Sequence, residues 1–333
     1  MNAELLIAKR QRQAVWLTLA AAFLVVILAL LSLNFGASQM RLLHLFTQPD
    51  DRITQVLFAS RLPRTLALIL AGAALAVAGL LMQMMARNRL VEPGTVGTFS
   101  AASLGMLLAT LINPGMALWL KFILVSLCAM LGSWVFLAIL QRIALRSALL
   151  VPLVGLVLAS VIASASGLLA HQFELAQALR AWSSGDFSAI LRGRYELLWL
   201  AAGITFLAML LADRFTVVGL GKDFATNVGV NYSALMVLGV VLVSLVSASV
   251  VITVGALPFV GLIVPNLVRG LVGDKMRRGI MLVALLGAAL MLAADLLGRW
   301  LIHPYEVPSA NLLALAGSLV FIVILLRGRK QWA

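Results

Sequence analysis

The chain has 333 residues, of which 63% are hydrophobic and only 11% are charged. A soluble domain of this size carries about 25% charged residues, so the composition excludes an ordinary soluble protein. The net charge of +13 would suit a nucleic-acid-binding protein, but the basic residues lie in short segments between apolar runs and form no basic domain. Such a distribution is expected of a multi-pass membrane protein, whose cytoplasmic loops are enriched in lysine and arginine.

Apolar runs long enough to span a bilayer, about 20 residues each, follow one another along the chain. The longest uncharged run is interrupted near its middle by Gly255, Pro258, Gly261 and Pro265, so it counts as two passes. The runs then predict ten transmembrane helices, over 14–33, 65–86, 94–112, 122–140, 147–170, 197–212, the two halves of 224–268, 279–294 and 307–326. Strands of a membrane barrel are shorter and alternate in hydropathy, so we predict an all-α membrane fold.

The loops between these runs are short, which predicts a single transmembrane domain over residues 1–333. An even number of spans places both termini on the same side of the membrane. The terminal segments 1–13 and 327–333 are both rich in lysine and arginine, so both are predicted to be cytoplasmic. The run 14–33 is too long for the apolar part of a signal peptide and is predicted to be a retained helix.

Three connections are long enough to carry structure of their own. The segments 34–60 and 171–194 are predicted to lie outside, and the second is amphipathic with a short interfacial helix. The segment 213–232 is predicted to lie inside, where glycines bracket a short helix around 222–228. Small residues at helix-packing spacing predict two close helix contacts, one through Gly72, Ala76 and Gly79 and one through Ser160, Ser164 and Gly167.

Signals for catalysis or cofactor binding are absent from the sequence. The string nearest to a P-loop, at residues 219–222, lacks the required spacing and the Ser/Thr, so we expect no ATP binding by this chain. Cys128 is the only cysteine and the three histidines are isolated, so neither a disulfide nor a metal site is predicted. We predict that Asp295 is the one acidic residue near a span interior, whereas a proton-coupled carrier needs several buried carboxylates. The chain is therefore predicted not to be an enzyme.

Four strings along the chain resemble successive segments of the FecCD family, the iron-siderophore, haem and vitamin B12 permeases of ABC importers. They are SRLPRTLALILAGAALAVAGLLMQ (60–83), ARNRLVEPGTVGTFSAASLG (86–105), GLGKDFATNVGVNYS (219–233) and VGALPFVGLIVPNLVR (254–269). The resemblance implies the type II ABC importer permease fold with ten helices. It also implies a permease dimer, two cytoplasmic ATPase subunits that hold ATP and Mg²⁺, and a periplasmic or lipoprotein binding protein. No cofactor is implied on this chain.

The resemblance assigns expected roles at the outer mouth. Arg61, Arg64 and Arg299 match arginines that meet acidic residues of the binding protein, and arginine forms bidentate, charge-assisted bonds with carboxylates. Anchoring of Arg61 and Arg64 at the membrane interface is the alternative.

At the inner end, Asn88 and Leu90 match residues of the cytoplasmic gate, and a loop with basic residues kept inside is the alternative. The family usually has proline where this chain has Arg89.

Two further segments take roles from the resemblance. The cytoplasmic segment is expected to couple to the ATPase, with a plain loop as the alternative; its residues are Gly221, Lys222, Asp223, Ala225, Thr226 and Gly229. The eighth span is expected to be a broken helix near the transport pathway, with a kinked packing helix as the alternative; its residues are Pro258, Gly261 and Pro265.

The function expected from the resemblance is import of an iron-siderophore, with catecholate-type permeases most similar in appearance. A haem or vitamin B12 permease of the same family is the alternative. An ion-coupled secondary transporter and a receptor or scaffold without transport are the other classes considered. A heterodimer with a paralogous permease is expected in preference to a homodimer, in the inner (cytoplasmic) membrane.

Reporter fusions test the predicted orientation of the termini. A cytoplasm-dependent reporter, such as green fluorescent protein, should be active when fused to either end of the chain, because the basic terminal segments favour the cytoplasmic side. A periplasm-dependent phosphatase fused at the same positions should be inactive. Activity of the phosphatase alone at either end would contradict the ten-span topology.

Overall fold

The computed structural model describes residues 2–35, 51–143, 149–273, 276–302 and 305–328. The regular elements of these residues are all helical, and this confirms the predicted all-α fold. In chain order they are α1 (Asn2–Asn34), α2 (Asp51–Val56), a π-helical turn (Leu57–Arg61), α3 (Leu62–Met85), α4 (Thr98–Ile112), α5 (Leu118–Arg142), α6 (Leu150–Gln172), α7 (Ala176–Ser183), α8 (Leu197–Leu210), α9 (Ala212–Gly219), α10 (Lys222–Asn227), α11 (Tyr232–Thr253), α12 (Val260–Val272), α13 (Met276–Leu301) and α14 (Ser309–Gly328).

The apolar helices of the described chain follow the predicted spans in order. Six of them are long and apolar enough to cross a membrane, and α8 and α9 form one further candidate span that bends by 66°. Three shorter apolar helices, α4, α12 and the apolar part of α14, complete the series. The short helices predicted within 171–194 and around 222–228 are present as α7 and α10. Much of the outer segment 34–60 and the end of the C-terminal segment, 329–333, lie outside the described residues.

Helix α3 is the centre of the bundle. In the most apolar stretch of the continuous helix Thr54–Met85, which contains α3, 78% of the residues are buried. The corresponding shares are 11% for α1 and 17% for α6. α3 packs against α8, α11, α12 and α13. Its many alanines and glycines allow this position, because small side chains let the backbones of neighbouring helices approach closely.

Two glycines of α3 lie against glycines of other helices. A Cβ atom added at Gly72 would clash with the Gly287 carbonyl of α13, and one added at Gly79 would fall on the backbone of Gly261 in α12. The predicted packing face on this helix is therefore confirmed. The other predicted face differs, because Ser160 and Ser164 are exposed and nothing in the described chain lies within 4 Å of a Cβ at Gly167.

The long apolar run is interrupted more narrowly than the sequence predicts. Helix α11 ends at Thr253 and α12 begins at Val260, so Pro258 lies in the break whereas Gly261 and Pro265 lie inside α12. The prediction that Pro265 breaks the helix is wrong. Proline leaves the carbonyl four residues earlier without its helical donor. That carbonyl belongs to Gly261, and it accepts a hydrogen bond from Gln83 Nε2 at 3.2 Å.

Valine substitutions test the close approach of α3 and α12. Gly79→Val should lower the yield of folded protein and its melting temperature in detergent, because the backbone of Gly261 leaves no room and overpacking costs about 1–3 kcal/mol or more. Gly167→Val is the matched control, since a side chain there meets open space, and it should melt with the wild type. Equal melting of the two variants would contradict the described contact.

Candidate functional site

Charged residues from the π-helical turn, α3, α13 and the segment after α13 meet at the end of the bundle that is predicted to lie outside, where α1 ends and α3 begins. Arg64 of α3 binds Asp295 of α13 with 2.7 Å between Nη2 and Oδ1. It also binds Glu306 with 2.8 Å between Nη1 and Oε2. Arg299, one turn after Asp295, binds the other carboxylate oxygen of Asp295. We call these residues, together with Arg61, the outer cluster.

The outer cluster also closes the end of α1. The last four carbonyls of a helix lack helical donors. Arg61 Nη1 donates to the carbonyl of Leu33 at 2.8 Å, and Arg299 Nη1 donates to the carbonyls of Phe35 at 2.7 Å and Ser32 at 3.1 Å. Both arginines therefore join α1 to the helices that carry them, and they place positive charge where the helix dipole is negative.

The structure brings the three predicted docking arginines together but engages each of them within the chain. The Arg64 and Arg299 side chains are only 12% and 8% exposed, and both contact the buried Asp295. The most exposed member of these ion pairs is Glu306, with 28% of its side chain exposed. Three arginines and two carboxylates give the cluster a formal charge of +1, from +3 and −2. These residues therefore have a structural role in the described conformation, whether or not they also bind a partner protein.

At the other end of the bundle, predicted to lie inside, residues 86–97 form a tight loop between α3 and α4, which we call the gate loop after its predicted role. Arg87 adopts a left-handed backbone with φ of 48°, the amide of Asn88 donates to the carbonyl of Gln83, and that of Arg87 donates to Met84. This pair of bonds is the Schellman arrangement that ends many helices. The Asn88 side chain then accepts from the amide of Leu90 at 2.8 Å. Both predicted gate residues, Asn88 and Leu90, are buried.

The gate loop lies against the predicted coupling segment. Gly221 precedes α10 with φ of 110°, and the guanidinium of Arg87 lies 3.3 Å from where a Cβ atom of residue 221 would be. Gly229, with φ of 78°, closes α10 by a second Schellman arrangement in which the amide of Val230 donates to Ala225. Backbone conformation therefore favours glycine at both ends of α10, and at Gly221 the close contact with Arg87 of the loop favours it as well.

The six residues predicted for coupling divide into two groups. Gly221 and Ala225 are buried and attach the segment to the rest of the chain. Gly229 and the polar side chains of Lys222, Asp223 and Thr226 are exposed. Three apolar side chains are exposed beside them at helical spacing; these are Leu220, Phe224 and Val228. The segment thus presents a mixed polar and apolar surface at the inner end.

Glu92 of the gate loop is a buried acidic residue to which the sequence analysis gave no role. Its side chain accepts a hydrogen bond from the amide of Phe259 at 2.7 Å, in the break before α12. The sequence predicts Asp295 alone near a span interior; Glu92 lies in the loop between α3 and α4, outside both helices, yet it is equally buried, with only 2% exposed. A sequence signal was present, since Glu92 is the one charged residue between Arg89 and Lys121.

In the described part of the chain, no three His, Cys, Asp or Glu residues are placed to share a metal ion. The chemistry of both ends is that of ion pairing and hydrogen bonding.

Comparison with known proteins identifies the family. Residues 22–327, nearly the whole chain, match the FecCD transport family. The chain belongs to this family. FecCD proteins are permease subunits of transporters, so the chain is a membrane transport protein.

Two relatives and one solved structure align with this chain over most of their own length. It is 41% identical over 310 residues to the petrobactin import system permease protein FatD of Bacillus anthracis, a match that covers 93% of this chain and 91% of the relative. It is 38% identical over 310 residues to the petrobactin import system permease protein YclN of Bacillus subtilis (strain 168), with 93% and 98% covered. A solved structure of a metal-chelate type ABC transporter in an inward-facing conformation is 28% identical, with a TM-score of 0.74 and 93% and 98% covered.

Removal of one carboxylate tests the outer cluster of this FecCD chain. Asp295→Ala should destabilise the purified protein by about 3 kcal/mol, because it leaves Arg64 and Arg299 buried without their shared partner. Glu174→Ala, an exposed acidic position, is the control and should melt with the wild type. The measurement is thermal unfolding in detergent, and an Asp295→Ala variant as stable as the control would refute a structural role of the cluster.

Proposed function

We propose that this chain is the permease subunit of an ABC importer that moves an iron-siderophore complex from the periplasm or outer surface into the cytoplasm. The observation that carries the proposal is the family match over residues 22–327, joined by two petrobactin import permeases that align with 93% of the chain. A single transmembrane domain over residues 1–333 in the cytoplasmic membrane, with both termini inside, performs this role. Within the siderophores, a catecholate-type ligand is the proposed substrate.

The energy for import comes from separate ATPase subunits that bind the coupling segment, residues 213–232. The exposed Leu220, Phe224 and Val228 support this contact, because apolar side chains beside charged ones on a short fixed helix suit a protein partner better than water. Lys222 and Asp223 supply polar contacts at the same surface. ATP and Mg²⁺ belong to the ATPase, and this chain holds no cofactor of its own.

A periplasmic or lipoprotein binding protein delivers the siderophore at the outer cluster. Arg61 is partly exposed, and Glu306, which pairs with Arg64, has 28% of its side chain exposed. In this docking, carboxylates on the binding protein displace Glu306 from Arg64 and also bind Arg61 directly. Asp295 keeps Arg299 in place throughout, since both side chains are buried.

A second, paralogous permease completes the transport pathway. Helix α6 is largely exposed within one chain, and its exposed surface includes the small polar side chains of Ser160 and Ser164 beside Gly167. Small and hydroxyl-bearing residues favour helix contact or water, whereas lipid favours large apolar side chains. The exposed side of α6 therefore faces the second permease and the pathway between the two chains.

The buried carboxylates support an ion-coupled carrier less well than an ABC importer. Asp295 is bound by two arginines, and Glu92 accepts a hydrogen bond from the backbone amide of Phe259. Both groups are held in place by charge-assisted bonds, whereas a proton carrier needs carboxylates that release and take up protons along a path.

An uptake assay distinguishes these functions. Proteoliposomes with the chain, its second permease and ATPase, supplied with ATP inside and the loaded binding protein outside, should accumulate iron-loaded catecholate siderophore. Uptake should persist when ionophores collapse ion gradients and should stop when the P-loop of the ATPase is inactivated. The chain alone should hydrolyse no ATP. Uptake that follows an ion gradient would favour the carrier, and preferential uptake of haem or vitamin B12 would replace the siderophore as substrate.

A further inference from the structure

The carboxylate of Glu92 joins the gate loop to the start of α12. It accepts a hydrogen bond from the amide of Phe259 at 2.7 Å, and its other oxygen lies beside Gly261, 3.3 Å from where a Cβ atom of that residue would be. Phe259 is the N-cap of a 13-residue helix, whose first amides lack helical acceptors and whose dipole favours negative charge. The side chain of one loop residue thus satisfies a backbone group that the break in the long apolar run leaves free.

The backbone at Phe259 depends on this contact. Phe259 has φ of 67°, a left-handed conformation that is rare for a bulky residue and persists only when its surroundings hold it. Its amide is held by Glu92, and its ring packs against Gly317 of α14, where a Cβ atom would overlap it. The start of α12 is therefore fixed on two sides.

Further bonds join the same elements nearer the inner end. The Asn266 side chain of α12 donates to the carbonyl of Arg89 in the gate loop at 2.7 Å. With Glu92 and Phe259, this contact binds the loop to α12 at two places separated by about two helical turns. Gln83, just before the loop, adds a bond to the Gly261 carbonyl.

We infer that Glu92 is a positioning residue that makes the gate loop and α12 move as one body during the transport cycle. This inference deepens the proposed function and relies on it for the meaning of the gate. Separation of the two elements would leave the Glu92 carboxylate and the Phe259 amide without partners in a buried site, which is costly. Motion of the coupling segment, transmitted through Arg87 against Gly221, would therefore carry α12 with the loop.

A labelling experiment tests the contact without transport. Val91, next to Glu92, is fully buried. In a chain with Cys128→Ser, a cysteine introduced by Val91→Cys should react slowly with a water-soluble maleimide. Glu92→Ala should raise that rate about tenfold or more, as expected when a buried charge-assisted contact is lost. A cysteine introduced by Ala170→Cys, buried at the outer end of α6, is the control and should stay protected in both backgrounds.

The ratio of siderophore transported to ATP hydrolysed tests the consequence for the gate. In the reconstituted importer this ratio should fall about tenfold in Glu92→Ala, because the loop no longer follows α12. Glu92→Gln keeps a carbonyl acceptor and should give an intermediate value, while Glu174→Gln should match the wild type. A purely structural role would reduce the amount of folded protein but leave the ratio of the remaining protein unchanged.

The outcomes separate this inference from the proposed function. Protection of the Val91→Cys thiol that is equal with and without Glu92, or an unchanged transport ratio in Glu92→Ala, would overturn the positioning role. If the wild-type importer shows no ATP-driven uptake, but Glu92→Ala still raises the labelling rate of the Val91→Cys thiol, the proposed function is overturned and the contact remains established.

Discussion

The fold depends on one constraint, which is that backbone amides and carbonyls away from water need partners within the protein. The break between α11 and α12 creates such a demand. The amide of Ala256 donates to Trp182 of α7, the amide of Phe259 donates to Glu92, and the carbonyl of Gly261 accepts from Gln83. The partners come from three separate parts of the chain. Satisfying the break therefore fixes α7, the gate loop and α3 around α12.

The end of α1 meets the same constraint with charged groups. Its terminal carbonyls accept from Arg61 and Arg299, and the resulting positive charge is balanced by Asp295. An arginine can serve a helix end and a carboxylate at once because its donors are arranged in a rigid fork. The outer cluster can therefore hold α1, α3 and α13 together and still offer its exposed edge, Arg61 and the Arg64–Glu306 pair, to a partner.

Hydropathy was sufficient to locate the apolar helices, and the spacing of small residues predicted a closely packed face on α3, which the structure places against α12 and α13. Contacts between distant residues could not be predicted in this way. Arg64 and Asp295 are separated by 231 positions in the chain, and no local pattern pairs them. The tolerance of α12 for Pro265 depends on Gln83 of another helix, so proline alone predicted a break where none exists.

Glu92 shows the same limit more clearly. Its isolation in an otherwise uncharged region of the sequence is visible, but its meaning depends on where α12 begins. That start is set by the left-handed backbone at Phe259, which a bulky residue seldom adopts and which sequence reasoning does not anticipate. The resemblance to FecCD permeases predicted functional residues at both ends of the bundle. The structure adds the contacts that join those of the gate loop to those of the coupling segment and of α12.

The central claim is that the gate loop and α12 form one moving body, and a cross-link between them tests it most directly. Arg89 and Leu267 are exposed on the two elements, beside the hydrogen bond from Asn266 to the loop. Cysteines introduced by Arg89→Cys and Leu267→Cys, in a Cys128→Ser chain, can be joined by a short bifunctional thiol reagent after reconstitution. The account predicts that the cross-linked importer keeps nearly all of its ATP-driven uptake, as do the singly substituted chains after the same treatment. Uptake that stops on cross-linking and returns on cleavage of the linker would show that the two elements separate during transport.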